Sequence, residues 1–164
     1  MHSNYIIRKV TEKDNAPLAK IIKSVFEEHD APKIGTVYSD PTTNNLFELF
    51  RTPRSILWVA EMNGVVAGCC GIYPTPGLLK DCAELVKFYL SSSARGVGIG
   101  RELMEKSIAS AIEMGYRSLY IESLPQYSRA ISIYEKQGFK LLGAPLGESG
   151  HSTCNVWMLK ELNR

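Results

Sequence analysis

A chain of 164 residues, 45% apolar and 22% charged, has the size and make-up of one ordinary globular domain. It is long enough to bury roughly 70% of its unfolded surface, so folding requires neither a metal nor a disulfide framework. A net charge of +2 without any run of Lys and Arg excludes a dedicated nucleic-acid binder, and no stretch suits a signal peptide or a bilayer span.

The chain opens with a short β-type run, "YIIRKV", after which Thr11 or Asp14 offers a cap for a helix whose apolar face is Leu18, Ile21, Ile22, Val25 and Phe26. "HDAPKIGTVYSDPTTNN" reads as a long loop and "LFELFR" as a short helix. Two strands, "SILWVAEM" and "VVAGCCGIY", flank Asn63-Gly64, the favoured pair for a type I′ hairpin turn because both positions need positive φ. "CAELVKFYL" is the next strand. A glycine-rich loop then enters a helix with Ile99, Leu103, Met104, Ile108, Ala111 and Ile112 on one side and Glu102 and Lys106 on the other, ended by Gly115. "SLYIESL" is a strand, "SRAISIYEKQ" a helix closed by Gly138 and with Ser128 as a candidate cap, and "FKLLG" and "CNVWMLKEL" are the last strands. The order β-α-α-β-β-β-α-β-α-β-β has no repeat or linker, so one α/β domain over residues 1–164 is expected. Cys69, Cys70, Cys82 and Cys154 form no Cys-x-x-Cys pair and read as reduced, buried thiols with no metal site. Cytoplasmic placement is the expectation.

The loop "SSSARGVGIGREL" poses the chemical question. Strand, glycines, then helix start is an anion-binding arrangement: first-turn N–H groups lack helical partners, and the dipole adds about half a positive charge. Arg95 and Arg101 bracket the loop. A Walker A loop would end in Gly-Lys-Ser/Thr, whereas here Gly100 is followed by Arg101 and Glu102. A dinucleotide fingerprint counted from Gly96 would need its third glycine where Arg101 stands.

Arg95-Gly96-Val97-Gly98-Ile99-Gly100 resembles the Arg/Gln-x-x-Gly-x-Gly/Ala signature of the GNAT acetyltransferase superfamily. "RAISIYEKQGF", with Ala130, Tyr134, Gly138 and Phe139, resembles that family's second signature. The resemblance spans nearly the whole chain and is weakest over residues 29–54 and 143–153. It implies a mixed, mostly antiparallel sheet of about seven strands with helices on both faces. The fourth and fifth strands would splay apart to form a slot for acetyl-coenzyme A. It also implies that Arg95, Gly96, Val97, Gly98, Ile99, Gly100 and Arg101 grip the coenzyme's pyrophosphate, and that the pantetheine arm pairs with Phe88, Tyr89 and Leu90. No metal is implied, and homodimers are common among such proteins.

Acetyl transfer to an amine requires loss of a proton from an amine of pKa roughly 10, stabilisation of an oxyanion, and protonation of a thiolate. The resemblance assigns the last task to Tyr134, although its place beside Ala130 and Ile133 also suits a core tyrosine. Glu84 resembles the catalytic glutamate of histone-acetylating relatives, either as base or as a shaper of the acceptor site around ordered water. Strand alternation groups it with Val86, Phe88 and Leu90. Glu61 is a rival that also fits a surface position. The oxyanion falls to a backbone N–H at or near Phe88. Where many relatives carry Asn, this chain has Tyr127, so the asparagine's role is not carried over. Glu27, Glu28, Asp30, Asp40 and Glu48 give the acceptor side an acidic lean suited to a cationic amine, and His151 lies in a loop within reach of the cleft.

The expected activity is therefore transfer of an acetyl group from acetyl-coenzyme A to a primary amine, in all expectation of a small molecule, by direct attack in a ternary complex. The alternative is a non-catalytic acyl-coenzyme A sensor or interaction domain. A nucleotide- or flavin-binding α/β domain is a third reading, opposed by the Asn63-Gly64 hairpin, because those folds alternate strands and helices.

Overall fold

The computed structural model describes residues 4–162, so the first three and last two residues of the expected domain lie outside it. Strand β1 (Tyr5–Lys9) leads through a 3-10 turn (Glu12–Asp14) into helix α1 (Asn15–Glu28). Both expected caps take part in that entry. The buried Asp14 carboxylate accepts from the Thr11 backbone N–H at 2.7 Å and from the Arg8 guanidinium at 2.8 and 3.0 Å. A loop containing two further 3-10 turns precedes the four-residue helix α2 (Leu46–Leu49).

Strands β2 (Ile56–Met62) and β3 (Val65–Tyr73) form the expected hairpin, with φ of 53° at Asn63 and 80° at Gly64, the positive values a type I′ turn demands. Next come β4 (Cys82–Leu90), α3 (Ile99–Glu113), β5 (Ser118–Ser123), α4 (Ser128–Lys136), the two-residue β6 (Lys140–Leu141) and β7 (Val156–Glu161). Ser128 is not a cap: it is the first residue of α4, and no side chain caps that helix. The Glu102–Lys106 face of α3 does lie outward, but Lys106 sits over the Trp58 ring, 4.7 Å from its centroid, instead of pairing with Glu102.

The seven strands form one sheet in the order β1-β2-β3-β4-β5-β7-β6. Every neighbouring pair is antiparallel except β4 and β5. A core lies on each face. On one, Ile72, Leu85 and Leu119 of the sheet pack with Ile99, Leu103 and Met104 of α3 and Tyr134 of α4. On the other, Leu57, Val59 and Cys69 pack against Leu18, Ile22 and Phe26 of α1 and Leu46 of α2. Trp58 extends between layers, donating its indole N–H to Ser110 Oγ at 2.9 Å.

Two irregularities in β4 shape everything that follows. Its parallel pairing with β5 stops after Cys82–Glu84 against Ser118–Tyr120, and beyond that point the strands part, as the expected splay requires. Against β3, the register passes from Gly71 opposite Val86 to Cys69 opposite Tyr89, so Cys70 alone faces both Lys87 and Phe88. This is a β-bulge, and Lys87 takes a left-handed φ of 57° to make it. The extra residue reverses the alternation. Glu84 and Val86 share a face, but Phe88 and Leu90 pack into the opposite core, while Val86 and Tyr89 pack on the α1 side. The simple alternation grouping Glu84 with Phe88 and Leu90 is thereby corrected.

The loops that flank the sheet on the α1 side hold one another. The His151 ring meets the Asp40 carboxylate at 2.9 Å, the Thr153 backbone N–H donates to the Gly35 carbonyl at 3.1 Å, and Thr153 Oγ donates to the Ile34 carbonyl at 2.6 Å. Among the described residues, no helix is long and apolar enough to cross a membrane.

Candidate functional site

The parting of β4 from β5 opens a cleft of about 520 Å³ through the sheet. One end is bounded by the glycine loop and the starts of α3 and α4, the other by His29, Val37, His151 and Cys154 from α1 and the two long loops. β4 forms its wall from Glu84 to Leu90.

At the loop end, Gly96, Gly98 and Gly100 line the cleft. Gly96 and Gly98 have φ of 80° and 89°, and no atom lies within 4 Å of where a Cβ would project, so bare backbone faces open space beside the start of α3. Gly100 differs: a Cβ there would come within 3.1 Å of Leu90 Cδ1 and 3.3 Å of the Phe88 ring, so its lack of a side chain lets α3 close onto β4. Arg95 is engaged by the protein itself. Its guanidinium pairs with the Glu28 carboxylate, lowering that carboxyl below its ordinary range, and donates to the Leu90 carbonyl at 3.1 Å. Arg101 is exposed and lies 3.5 Å from Glu105. The side chains of Val97 and Ile99 stand outside the lining: Val97 is solvent-exposed and Ile99 is buried in the core. Arg129 and Lys136 of α4 add two cations to the wall that sequence reading did not single out.

In the middle, Phe88, Tyr89 and Leu90 all border the cleft, and Tyr134 faces them from α4, its ring centroid 6.0 Å from that of Phe88. Burial raises the Tyr134 hydroxyl far above the ordinary phenol value, so it keeps its proton. Glu84 is 4% exposed, and burial pushes its carboxyl up to about 7. A hydrogen bond from Thr75 Oγ at 2.6 Å opposes that rise, and neighbouring Glu122 reinforces it. Glu61 lies outside the cleft lining and pairs with Arg8 at 3.3 Å.

The far end holds groups that the sequence did not mark as a cluster. His151 reaches the cleft and is tied to Asp40. Burial works against the Asp40 anion, but His151 and the Thr42 hydroxyl and N–H outweigh it and hold its carboxyl down to about 2. Glu122 accepts from Tyr120 at 2.7 Å and from Ser149. Tyr127 also lines this region, and its buried hydroxyl has no hydrogen-bond partner. Cys154 is a free, half-buried thiol at the cleft wall, pushed up to about 12 by burial, whereas Cys69, Cys70 and Cys82 are buried as expected. Of the acidic residues expected to attract a cation, none lines the cleft: Asp40 bonds the lining His151 from behind, Glu28 is taken by Arg95, Glu27 by Tyr38 and Glu48 by Asn15, and Asp30 lies outside the lining. Lys87 is the residue that sequence reading missed. Its signal was a second charged residue, after Glu84, inside a largely apolar central strand. Among the described residues, no cluster of three or more His, Cys, Asp or Glu is placed to hold a metal ion.

A mostly antiparallel sheet, cleft between its two parallel strands and closed at one end by a glycine loop on a helix start, defines an acyl-coenzyme A transferase fold. The model of the Acetyltransferase (GNAT) family matches residues 22–139, and the chain belongs to that family. It is 35% identical over 159 residues to an uncharacterized N-acetyltransferase of Escherichia coli K12, YjgM, covering 96% of this chain and 95% of that one. It is 31% identical to an IAA acetyltransferase of Azospirillum brasilense, covering 93% of this chain and 98% of the relative. Solved structures agree on the fold. A GNAT acetyltransferase from Staphylococcus aureus Mu50 superposes with a TM-score of 0.85 at 20% identity, covering 98% of this chain and all of the other. The Salmonella typhimurium protein yncA, a putative acetyltransferase determined with acetyl-coenzyme A, gives 0.76 at 20% identity over 99% and 96%. The chain is thus an N-acetyltransferase of the acetyl-coenzyme A-dependent class.

Proposed function

We propose that the protein transfers the acetyl group of acetyl-coenzyme A directly to a primary amine of a small molecule, both substrates being bound in the one cleft. The observation that supports this most strongly is the placement of a proton-holding phenol and a carboxyl tuned near neutrality along one continuous opening that begins at the glycine loop.

In this reading the pyrophosphate lies on the backbone N–H groups of residues 96–101, with Arg101, Arg129 and Lys136 adding charge from the rim. Arg95 is a brace: through Glu28 and the Leu90 carbonyl it fixes the loop against α1 and β4. The pantetheine arm pairs with the free edge of β4 at residues 88–90, as an added strand would. Glu84, ionised above pH about 7, receives a proton from the acceptor ammonium, directly or through water. The freed amine attacks the thioester carbonyl, forming the C–N bond. The resulting oxyanion is met by the Phe88 backbone N–H, which the bulge leaves out of the regular ladder with β3. Collapse breaks the C–S bond, and Tyr134 donates its proton to the departing sulfur.

A thermal-shift titration with acetyl-coenzyme A, set beside ATP, NAD and FMN, tests the coenzyme half of this reading. At 100 times its dissociation constant a ligand adds about 2.7 kcal/mol, a rise of roughly 5–10 °C for a domain of this size. A shift with acetyl-coenzyme A alone is expected. A shift with FMN or ATP instead overturns the reading.

A further inference from the structure

Lys87 is 6% exposed, yet among the described residues its ammonium makes no hydrogen bond and no ion pair within 4 Å. Burial lowers the pKa of this lysine, and an anion bound in the cleft beside it would restore its charge. The charged groups around it come from every element packed on it: Asp40 from the long loop after α1, Glu84 from its own strand, Cys69 from β3 and Cys154 before β7. Asp40 and Glu84 favour its cation through space, but no carboxylate comes within 4 Å of it and each has its direct hydrogen bonds elsewhere. Asp40 is held by His151 and Thr42, Glu84 by Thr75, and the nearby Glu122 by Tyr120 and Ser149. The cysteines are buried or half-buried thiols whose protons burial retains.

The placement of Lys87 is built in at some expense. A regular strand would turn its side chain away from Glu84. The bulge, with its left-handed φ of 57° at a residue that bears a side chain, brings Lys87 to the cleft instead. A buried donor without a partner lines the same opening, the Tyr127 hydroxyl. Cys154 lies close enough to both Lys87 and Tyr127 to be felt electrostatically by each, which sets the two donors around one part of the cavity. That part is the acceptor end, away from the glycine loop.

We propose that this end of the cleft is a carboxylate subsite, with Lys87 as counter-ion and Tyr127 as second donor, so that the acceptor is an amino acid whose carboxylate Lys87 holds while its amine faces Glu84. The inference rests on the acetyl-transfer reading above. Along the strand, Glu84 and Lys87 are about 10 Å apart at the backbone, a span that two long side chains close onto a small zwitterion. The acidic surroundings then serve the amine, and the single buried cation selects for the acid group that a simple alkylamine lacks.

The test uses the purified protein saturated with acetyl-coenzyme A. The twenty L-amino acids are screened both by thermal shift and by release of coenzyme A thiol, and the best responder is compared with its carboxamide and its decarboxylated amine. The expectation is that the acid is preferred in kcat/KM by about tenfold to a hundredfold, the range for loss of one charged hydrogen bond. In Lys87→Met that preference falls towards one through KM, Lys87→Arg retains part of it, and both variants still shift with acetyl-coenzyme A alone. Equal use of acid, amide and amine by the wild type overturns the subsite, as does a preference unchanged in Lys87→Met, or a screen in which no amino acid binds. If amino acids bind in a Lys87-dependent way but no acetyl group moves, the subsite stands and the transferase reading falls.

Discussion

Replacing Glu84 by Gln separates the electrostatic consequences of burial from every other effect at the site. The amide keeps the volume and can still accept from Thr75 Oγ, but it cannot ionise. In the folded protein burial raises the carboxyl from an ordinary 4.5 to about 7, so the native state holds this proton more tightly than the unfolded chain. Stability from that preference is fully present below pH 4.5 and is lost as pH rises through 7. At about 1.4 kcal/mol per pH unit, the gap amounts to about 3 kcal/mol above pH 8. Most of it, about 2–3 kcal/mol, develops between pH 5 and pH 8. The melting temperature of Glu84→Gln relative to wild type should therefore climb by roughly 5–10 °C over that interval, read by differential scanning fluorimetry in matched buffers. If Glu84 is the base, wild-type kcat/KM should rise with pH about a midpoint near 7, and the same substitution should flatten that rise. A Tm difference that stays constant from pH 5 to pH 9 would refute the burial argument, and an unaltered pH–rate profile would remove Glu84 from proton transfer.

Tyr134→Phe should lower kcat by tenfold or more while leaving the thermal shift with acetyl-coenzyme A close to wild type; an unchanged kcat excludes it as the acid. Gly98→Glu has room for its side chain but occupies a φ of 89°, so the protein should fold, lose about 1–2 kcal/mol, and show no shift with acetyl-coenzyme A. Leu103→Ala, fully buried beneath α3, should cost about 3 kcal/mol in urea denaturation without changing the KM for acetyl-coenzyme A.

How far the sequence could be read depended on whether the deciding interaction was local. Asn63-Gly64 announced its turn because few residue pairs tolerate two positive φ values. The glycine loop and the Tyr134 helix were legible because close backbone approach and helical spacing leave marks in consecutive residues. The entry to α1 was visible in outline, with Thr11 and Asp14 both named, although the Arg8 clamp across it was not. The bulge was opaque: nothing in "ELVKFYL" carries the glycine that often marks one, and the misfit is created by pairing with β3. Missing it misplaced Phe88 and Leu90 and hid Lys87. Ser128 failed as a cap because the chain enters α4 directly from a 3-10 turn at Pro125–Tyr127. The Asp40–His151 contact joins residues 111 positions apart, beyond any local pattern.

That contact has a mechanical consequence. Residues 34–40 and 149–153 grip each other by three hydrogen bonds, and Val37 and His151 among them line the end of the cleft away from the glycine loop. Altering one segment alone leaves the half-buried Asp40 or His151 facing a stranger. Chimeras exchanging both segments with a relative should therefore melt higher than those exchanging either one. The two distant stretches of chain thus behave as one mechanical unit, coupled across 111 positions by the Asp40–His151 contact.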